Sequence, residues 1–351
     1  MFFEQLKTHW LKSTAVQGNQ WKLQDFLRIG LMGFPGQGMI SIDVTYRCNL
    51  SCIHCYFRRQ GYDSELTVDQ WVSWLETRRT QGYPFLICGW LGGEPFLRRD
   101  LLEKGRLYFK SNVVFTNGMF ELGSWSDCTF VVSVPALGDQ YPAITGGDAK
   151  AFGRVKAHAD REDLRVFISF CITRPTLDLI PQVLKEWEKT AVQGVYFEFY
   201  TPMHGDSLQL WVDWESCDRV ISQLLELKRA YGDFIANTHQ ELLLMRARYY
   251  RAIVDDCPFC HIGASFDPMG QRKLPCAVGP EADCSRCGCI LPVFARVLSK
   301  RRFMIHALWD GIGRELRGTY RRKNEGHRGP ASLRAEKGQD SYRGHRNPVG
   351  I

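Results

Sequence analysis

Apolar stretches alternate with amphipathic ones at a regular rhythm between residues 40 and 200. Residues 40–45, Ile-Ser-Ile-Asp-Val-Thr, alternate in polarity and are rich in β-branched side chains, which predicts a strand. Residues 67–79 carry a helical period. The apolar run 85–91 predicts a second strand, and 113–115, 129–134, 164–172 and 195–200 predict four more. Helices are predicted over 149–159 and 177–191 and, beyond Pro202, over 215–231 and 240–253. Near-continuous apolar strands interleaved with helices imply a parallel sheet covered on its outer face. The pattern therefore predicts an α/β fold: a partial (βα)6 barrel of TIM type, followed by a small cysteine-rich extension.

The flanks read differently. Phe2, Phe3, Leu6, Trp10 and Leu11 recur near helical spacing within an N-terminal extension, residues 1–37, which Gly33 to Gly38 then breaks. A helix capping the barrel is the favoured reading; one lying on a membrane surface is the other. The expected domains are that extension, a core barrel over 38–205, a helical segment over 206–256, a cysteine-rich module over 257–299 and a basic tail over 300–351.

Charge separates the tail from the body. Residues 300–351 carry 13 Lys and Arg against 5 Asp and Glu, a net of +8, while the remainder carries 32 against 33. The tail, poor in apolar residues from Arg321 onward, is expected to be disordered. Such a tail can touch anionic membrane surfaces; nucleic acid is not expected as a partner, and a merely solvated tail fits the composition as well. No apolar run reaches the ~18 residues that a membrane span requires, and no secretory signal is evident, which points to the cytosol.

The 13 cysteines fall into groups rather than disulfide-like pairs, as metal ligation in a reducing compartment would have them. Cys88, Cys128, Cys171 and Cys217 stand alone and read as small buried hydrophobes. Cys48, Cys52 and Cys55 stand on the loop that leaves the C-terminal end of the first strand, the face on which βα barrels build their sites. Three thiolates at this spacing can hold three corners of an iron–sulfur cube and leave one iron open. The second strand then ends in Gly92-Gly93-Glu94-Pro95, and the third in Thr116-Asn117-Gly118.

On these motifs the chain resembles the radical S-adenosylmethionine (SAM) superfamily, over residues 38–200 and plausibly to 290. The resemblance implies a [4Fe-4S] cluster on Cys48, Cys52 and Cys55 whose open iron chelates the amino and carboxylate groups of SAM. An electron then splits SAM into methionine and a 5′-deoxyadenosyl radical. It implies that Gly92, Gly93 and Glu94 hold the methionine amino group, and that Asn117, Ser133 and Ser169 meet the ribose or the methionine carboxylate. Ser133 and Ser169 read equally well as ordinary strand residues. Glu198 and Tyr200 are the catalytic candidates, on the lumen side of strand six, with His204 and Asp206 weaker ones. A flavodoxin- or ferredoxin-type electron donor is implied as well. One departure stands out: many members carry an aromatic residue just before the third cysteine, where this chain has His54.

A second group, Cys257, Cys260, Cys276, Cys284, Cys287 and Cys289, spans residues 257–289. Two Cys-x-x-Cys pairs can bind one structural zinc. Beside a radical SAM core, the segment is similar to the auxiliary-cluster extensions of the superfamily (SPASM or twitch type), which implies an auxiliary [4Fe-4S] cluster. Cys260, Cys276, Cys284 and Cys287 are the expected ligands, with Cys257 and Cys289 in competition. The overall plan resembles the enzymes that add the adenosyl radical to hopanoid lipids, so a lipid-like or natural-product substrate is expected. A peptide- or protein-modifying maturase with a reduced SPASM module is the alternative. A non-catalytic zinc protein, with His54 as fourth ligand of the first group, is the alternative from another class.

Overall fold

The computed structural model describes residues 35–299 except Leu208, together with Asp25 and Ile29. The expectations for Phe2 to Leu11 and for the basic tail lie outside the described residues. Those that are described belong to one unit, Met1–Leu308.

All six expected strands form and lie side by side in parallel: β1 (Met39–Asp43), β2 (Ile87–Leu91), β3 (Ser111–Thr116), β4 (Cys128–Ser133), β5 (Arg165–Ile172) and β6 (Val195–Phe199). Two further strands, β7 (Gly263–Phe266) and β8 (Arg272–Lys273), extend the sheet beyond β1, so that its order is β6-β5-β4-β3-β2-β1-β7-β8. This is the open, mostly parallel sheet of a partial barrel. β7 runs parallel to β1, with Met39 opposite Gly263 and Ile42 opposite Phe266. Part of the expected cysteine-rich extension is therefore built into the barrel sheet. The four residues of β7 begin three positions after Cys260, too short a run for periodicity to separate from a turn of helix.

Helices cover the outer face. They are α1 (Val68–Thr80), α2 (Arg99–Gly105), α3 (Gln140–Thr145), α4 (Ala151–Ala159), α5 (Ile180–Trp187) and α6 (Trp214–Tyr231), then α7 (His239–Leu244), α8 (Ala247–Asp255), α9 (Phe259–Ile262) and α10 (Leu291–Ser299). Ile40 and Ile42 of β1, Phe130 and Val132 of β4, and Ile168 and Phe170 of β5 pack with Trp71, Leu101, Val155 and Trp187 of the helices in the main core. Successive side chains of a strand point to opposite faces. Ser41, Asp43, Ser133, Ser169, Cys171 and Glu198 consequently face the concave side. Deeper on that side, Val113, Val131, Phe167 and Ala236 form an apolar plug. Ile29 packs at the opposite end of the strands with Met39, Leu86, Phe259 and Leu298.

Two helical expectations are refined. The stretch 240–253 divides into α7 and α8, because Asp218 of α6 accepts the Ala247 N–H at 2.9 Å and caps a second helix there. The stretch 177–191 begins as a 3-10 turn, Arg174–Leu179, and becomes α5 at Ile180, with Pro181 in its first turn.

The gap between β8 and β6 is lined by the cysteine-rich segment. Residues 281–288 run against the chain just beyond β6. The His204 N–H donates to Glu281 O at 2.8 Å, Asp283 N–H to Pro202 O at 2.9 Å, and Phe199 N–H to Gly288 O at 3.0 Å. Met203 and Ala282 form an antiparallel bridge.

Candidate active site

The loop after β1 carries Cys48, exposed, and Cys52 and Cys55, half-buried. Three neighbours fix its backbone. From β2, Gly93 N–H donates to Thr45 O at 2.8 Å and Glu94 N–H to Arg47 O at 2.9 Å. A Cβ at Gly93 would stand 1.9 Å from Arg47 O, and one at Gly92, where φ is +116°, 2.7 Å from Thr45 O. Only glycine fits both positions. The sequence reading gave these glycines to the ligand; in the structure, the space a side chain would fill belongs to the cysteine loop. From α3, Thr145 O accepts Ser51 N–H at 2.8 Å and Ile144 O accepts Ile53 N–H at 3.0 Å. From below, Glu65 accepts Thr45 Oγ1 at 2.5 Å and bridges Arg47 and Arg98, each at 2.9 Å. Burial raises the Glu65 carboxyl, but the Thr45 hydroxyl and the two guanidiniums outweigh it and hold the group below its ordinary value.

Glu94 is fully buried. Its oxygens accept Thr116 Oγ1 at 2.7 Å, Asn117 N–H at 2.8 Å and Phe96 N–H at 3.0 Å. Burial lifts the carboxyl to about 7 against these hydrogen bonds. The carboxylate thus ties β2 to the end of β3 and turns away from solvent. Asn117, so positioned, reaches the loop: its Nδ2 lies 2.8 Å from Asn49 Oδ1 and 3.8 Å from Cys48 Sγ. Ser133 ends β4, half-buried. Ser169 donates to Glu198 at 3.3 Å, and Glu198 also accepts Ile290 N–H at 3.3 Å. Burial raises the Glu198 carboxyl, with the Ile290 amide and the Ser169 and Cys289 side chains opposing the rise. Tyr200 is buried and donates to Asp206 Oδ2 at 2.5 Å; Asp206 in turn pairs with Arg59. Ser169 and Glu198 thus meet on the concave face, while the Tyr200 hydroxyl is committed to Asp206.

The donor set suits a metal–sulfur group. Burial, with the charge of Cys55 and Cys48 adding to it, pushes the free Cys52 thiol up to about 12. A coordinating metal deprotonates its thiols outright. Tyr46, Cys48, Asn49, Leu50, Ser51, Arg58 and Gly146 line an open cleft of about 390 Å³ at the loop, a size typical of cofactor sites. Among the described residues no three of His, Cys, Asp and Glu converge tightly enough to wrap a single ion. His54 is held neutral, its value lowered to about 4 by burial.

The C-terminal cysteines converge on one another from three segments. The charges acting on Cys257, which burial pushes to about 12, come from Cys260, Cys276 and Cys287; those on Cys276, pushed to about 11, come from Cys287 and Cys284. Cys284 has Cys287 and Cys260 as its charged neighbours. Cys257 is therefore brought in with the four expected ligands. Cys289, pushed up by burial, is acted on by Glu198 as well as by Cys287 and Cys276.

Sequence reasoning missed a buried link between the two groups. Lys273 Nζ lies 2.6 Å from Asp43 Oδ2 and 2.5 Å from Ala277 O, both side chains 2 % exposed. Burial raises Asp43 to about 6, although Lys273 pulls it down. Lys273 also faces the rings of Tyr56 and Phe57, and the Tyr56 hydroxyl stands among Asp43, Cys55, Cys289 and Cys276. The available signal was a lone carboxylate at the end of a buried strand, five residues before the first cysteine.

Residues 42–198 match the profile described as the Radical SAM superfamily. This stretch is similar to a radical SAM domain. Domains of that kind are those of iron–sulfur enzymes that depend on S-adenosylmethionine and carry a [4Fe-4S] cluster. The chain is 29 % identical over 169 residues to the pre-heme d1 synthase of Dinoroseobacter shibae, covering 44 % of this chain and 41 % of that protein. It thus spans about two fifths of the length of that curated relative. In fold, the radical SAM core and its C-terminal segment resemble SuiB of Streptococcus suis bound to its precursor peptide SuiA. That match has a TM-score of 0.57 and 12 % identity over 82 % of this chain and 73 % of that one. They also resemble anSMEcpe with bound AdoMet and the peptide Cp18Cys, with a TM-score of 0.52 and 18 % identity over 73 % and 79 %.

Proposed function

We propose that this chain cleaves SAM reductively and uses the resulting radical on a polar substrate held on the concave face, with a peptide side chain as the substrate class. When bound at Cys48, Cys52 and Cys55, the cluster supplies the electron that splits the carbon–sulfur bond of SAM into methionine and a 5′-deoxyadenosyl radical. The loop clamps from β2, α3 and Glu65 hold the three thiolates in place. The backbone of Gly92 and Gly93 is offered to the methionine amino group, with Glu94 as the buried post that sets the turn. Arg58, on the cleft wall, is a counterion for a carboxylate. Asn117, Ser133 and Ser169 are offered to the ribose and the methionine carboxylate. Glu198 and Tyr200 stand at the substrate end, Tyr200 through Asp206. Cys276, Cys284 and Cys287, with Cys260 or Cys257, are offered to an auxiliary cluster beside Glu198.

The observation that carries the substrate class is the polar rim: Ser133, Ser169 and Glu198 stand at the strand ends above the apolar plug. A hydrocarbon seated there would leave polar groups unpaired at roughly 1–3 kcal/mol each. The lipid-alkene reading drawn from the overall plan is therefore less well supported than a substrate that hydrogen-bonds. That the two fold neighbours named above were solved with peptides agrees with this choice. No helix among the described residues is long and apolar enough to cross a membrane. The deciding experiment incubates anaerobically reconstituted, reduced protein with SAM and either a peptide library or a membrane lipid extract. Methionine and 5′-deoxyadenosine release, with a mass change in peptides alone, is expected. An adenosylated lipid with unchanged peptides would reverse the substrate assignment.

A further inference from the structure

Tyr141 lies on α3, one turn before the residues that hydrogen-bond the cysteine loop, and its side chain is completely buried. Its hydroxyl has no hydrogen-bond partner. A buried hydroxyl left unmade costs roughly 1–3 kcal/mol, so the group calls for an acceptor. The charged groups that face it are Cys52, Glu94 and Cys48, with Arg154 as the facing cation. Glu94 is already engaged by Thr116, Asn117 and Phe96. That leaves sulfur. A neutral thiol is a weak acceptor, whereas a thiolate accepts strongly. A Cys52 or Cys48 thiolate held by a cluster would supply that acceptor. The placement is not incidental: the two backbone hydrogen bonds from Ile144 and Thr145 dock α3 on the loop, and a Cβ at Gly146 would lie 2.0 Å from Ser51 Oγ.

We propose that the Tyr141 hydroxyl donates a hydrogen bond to the Cys52 thiolate of the assembled cluster and so sets its reduction potential. This rests on the radical SAM reading of the loop. Hydrogen bonds to cluster sulfurs are among the levers that set such potentials. Each withdraws negative charge from the core and favours the reduced state. Tyr141 is therefore a tuning residue: without it the cluster accepts its electron less readily, and SAM cleavage needs a stronger reductant.

The test is a redox titration of the full-length reconstituted protein, followed by the paramagnetic signal that changes when SAM is added; this singles out the Cys48–Cys55 cluster from any other. At the potential where half of the wild-type cluster is reduced, Tyr141→Phe should show a severalfold lower ratio of reduced to oxidised cluster at unchanged iron content. Tyr141→3-fluorotyrosine, a stronger donor of nearly the same size, should shift the ratio the other way. Tyr196→Phe removes another buried, unpartnered hydroxyl, from β6, and should change nothing. If the Phe variant fails to assemble a cluster, the fluorotyrosine protein decides alone. An unshifted midpoint in the fluorotyrosine protein, beside a normal SAM-responsive signal in the wild type, overturns the tuning role. Absence of that signal from the wild type would instead refute the reading of the loop.

Discussion

The two cysteine groups are built by opposite routes. Cys48, Cys52 and Cys55 lie on one loop, and the rest of the protein only has to hold that loop: β2, α3 and Glu65 grip its backbone. The C-terminal group is gathered from three segments, before β7, after β8 and along the edge of β6, and its geometry exists only once the barrel is complete. Local spacing specifies the first; tertiary structure specifies the second. The Asp43–Lys273 pair lies between them, tying the strand that leads into the first group to the hairpin that leads into the second.

The sharpest test of this contrast removes one thiol from each. Cys52→Ala should abolish the release of methionine and 5′-deoxyadenosine while leaving the fold; release at the wild-type rate would refute the loop as the cleavage site. Cys276→Ala or Cys287→Ala should lower iron content by about one cluster and preserve SAM cleavage, whereas Cys289→Ala should leave iron unchanged. Iron analysis beside a cleavage assay separates these outcomes, and a fall in iron with Cys289→Ala would move that residue into the ligand set. Lys273→Met should destabilise the protein by ~3–5 kcal/mol, because it strands a buried carboxylate. Adding Asp43→Leu should recover most of that loss, as read by chemical denaturation. The smallest effect is with pH. Asp43, at about 6 when folded against its ordinary 3.8, binds its proton more tightly in the folded state. Its contribution is therefore complete below about pH 4 and is lost as pH rises through 6. Asp43→Asn should flatten that part of the stability profile; an unchanged slope would assign it to other groups.

What was legible follows the same division. The six core strands and the first cysteine loop could be read because alternation, apolar runs and ligand spacing are local signals. β7 was too short to announce itself, and the β8 hairpin is shorter still. β7 is a strand because β1 offers an unpaired edge, and β8 because β7 then offers another. The split of α7 from α8 depends on Asp218, far away in sequence, and no pattern in residues 240–253 carries it. At the site, the identities of Gly92, Gly93 and Glu94 were readable but their burdens were not. The glycines make room for the Arg47 and Thr45 carbonyls, and the Glu94 carboxylate faces inward to β3. The Tyr200 hydroxyl was expected in the lumen and is held by Asp206, a contact that alternation along a strand cannot foretell.

The pairing of β7 with β1 limits how this protein can be trimmed. A shortened version ending at residue 256 would keep every residue of the matched stretch and the whole Cys48–Cys55 loop. It would also strip β7 from one edge of Met39–Asp43, leaving the amides and carbonyls on that edge open to whatever chain comes next while β2 still pairs the other. Such a fragment should self-associate, so a minimal soluble enzyme must retain the hairpin even where the second metal centre is unwanted.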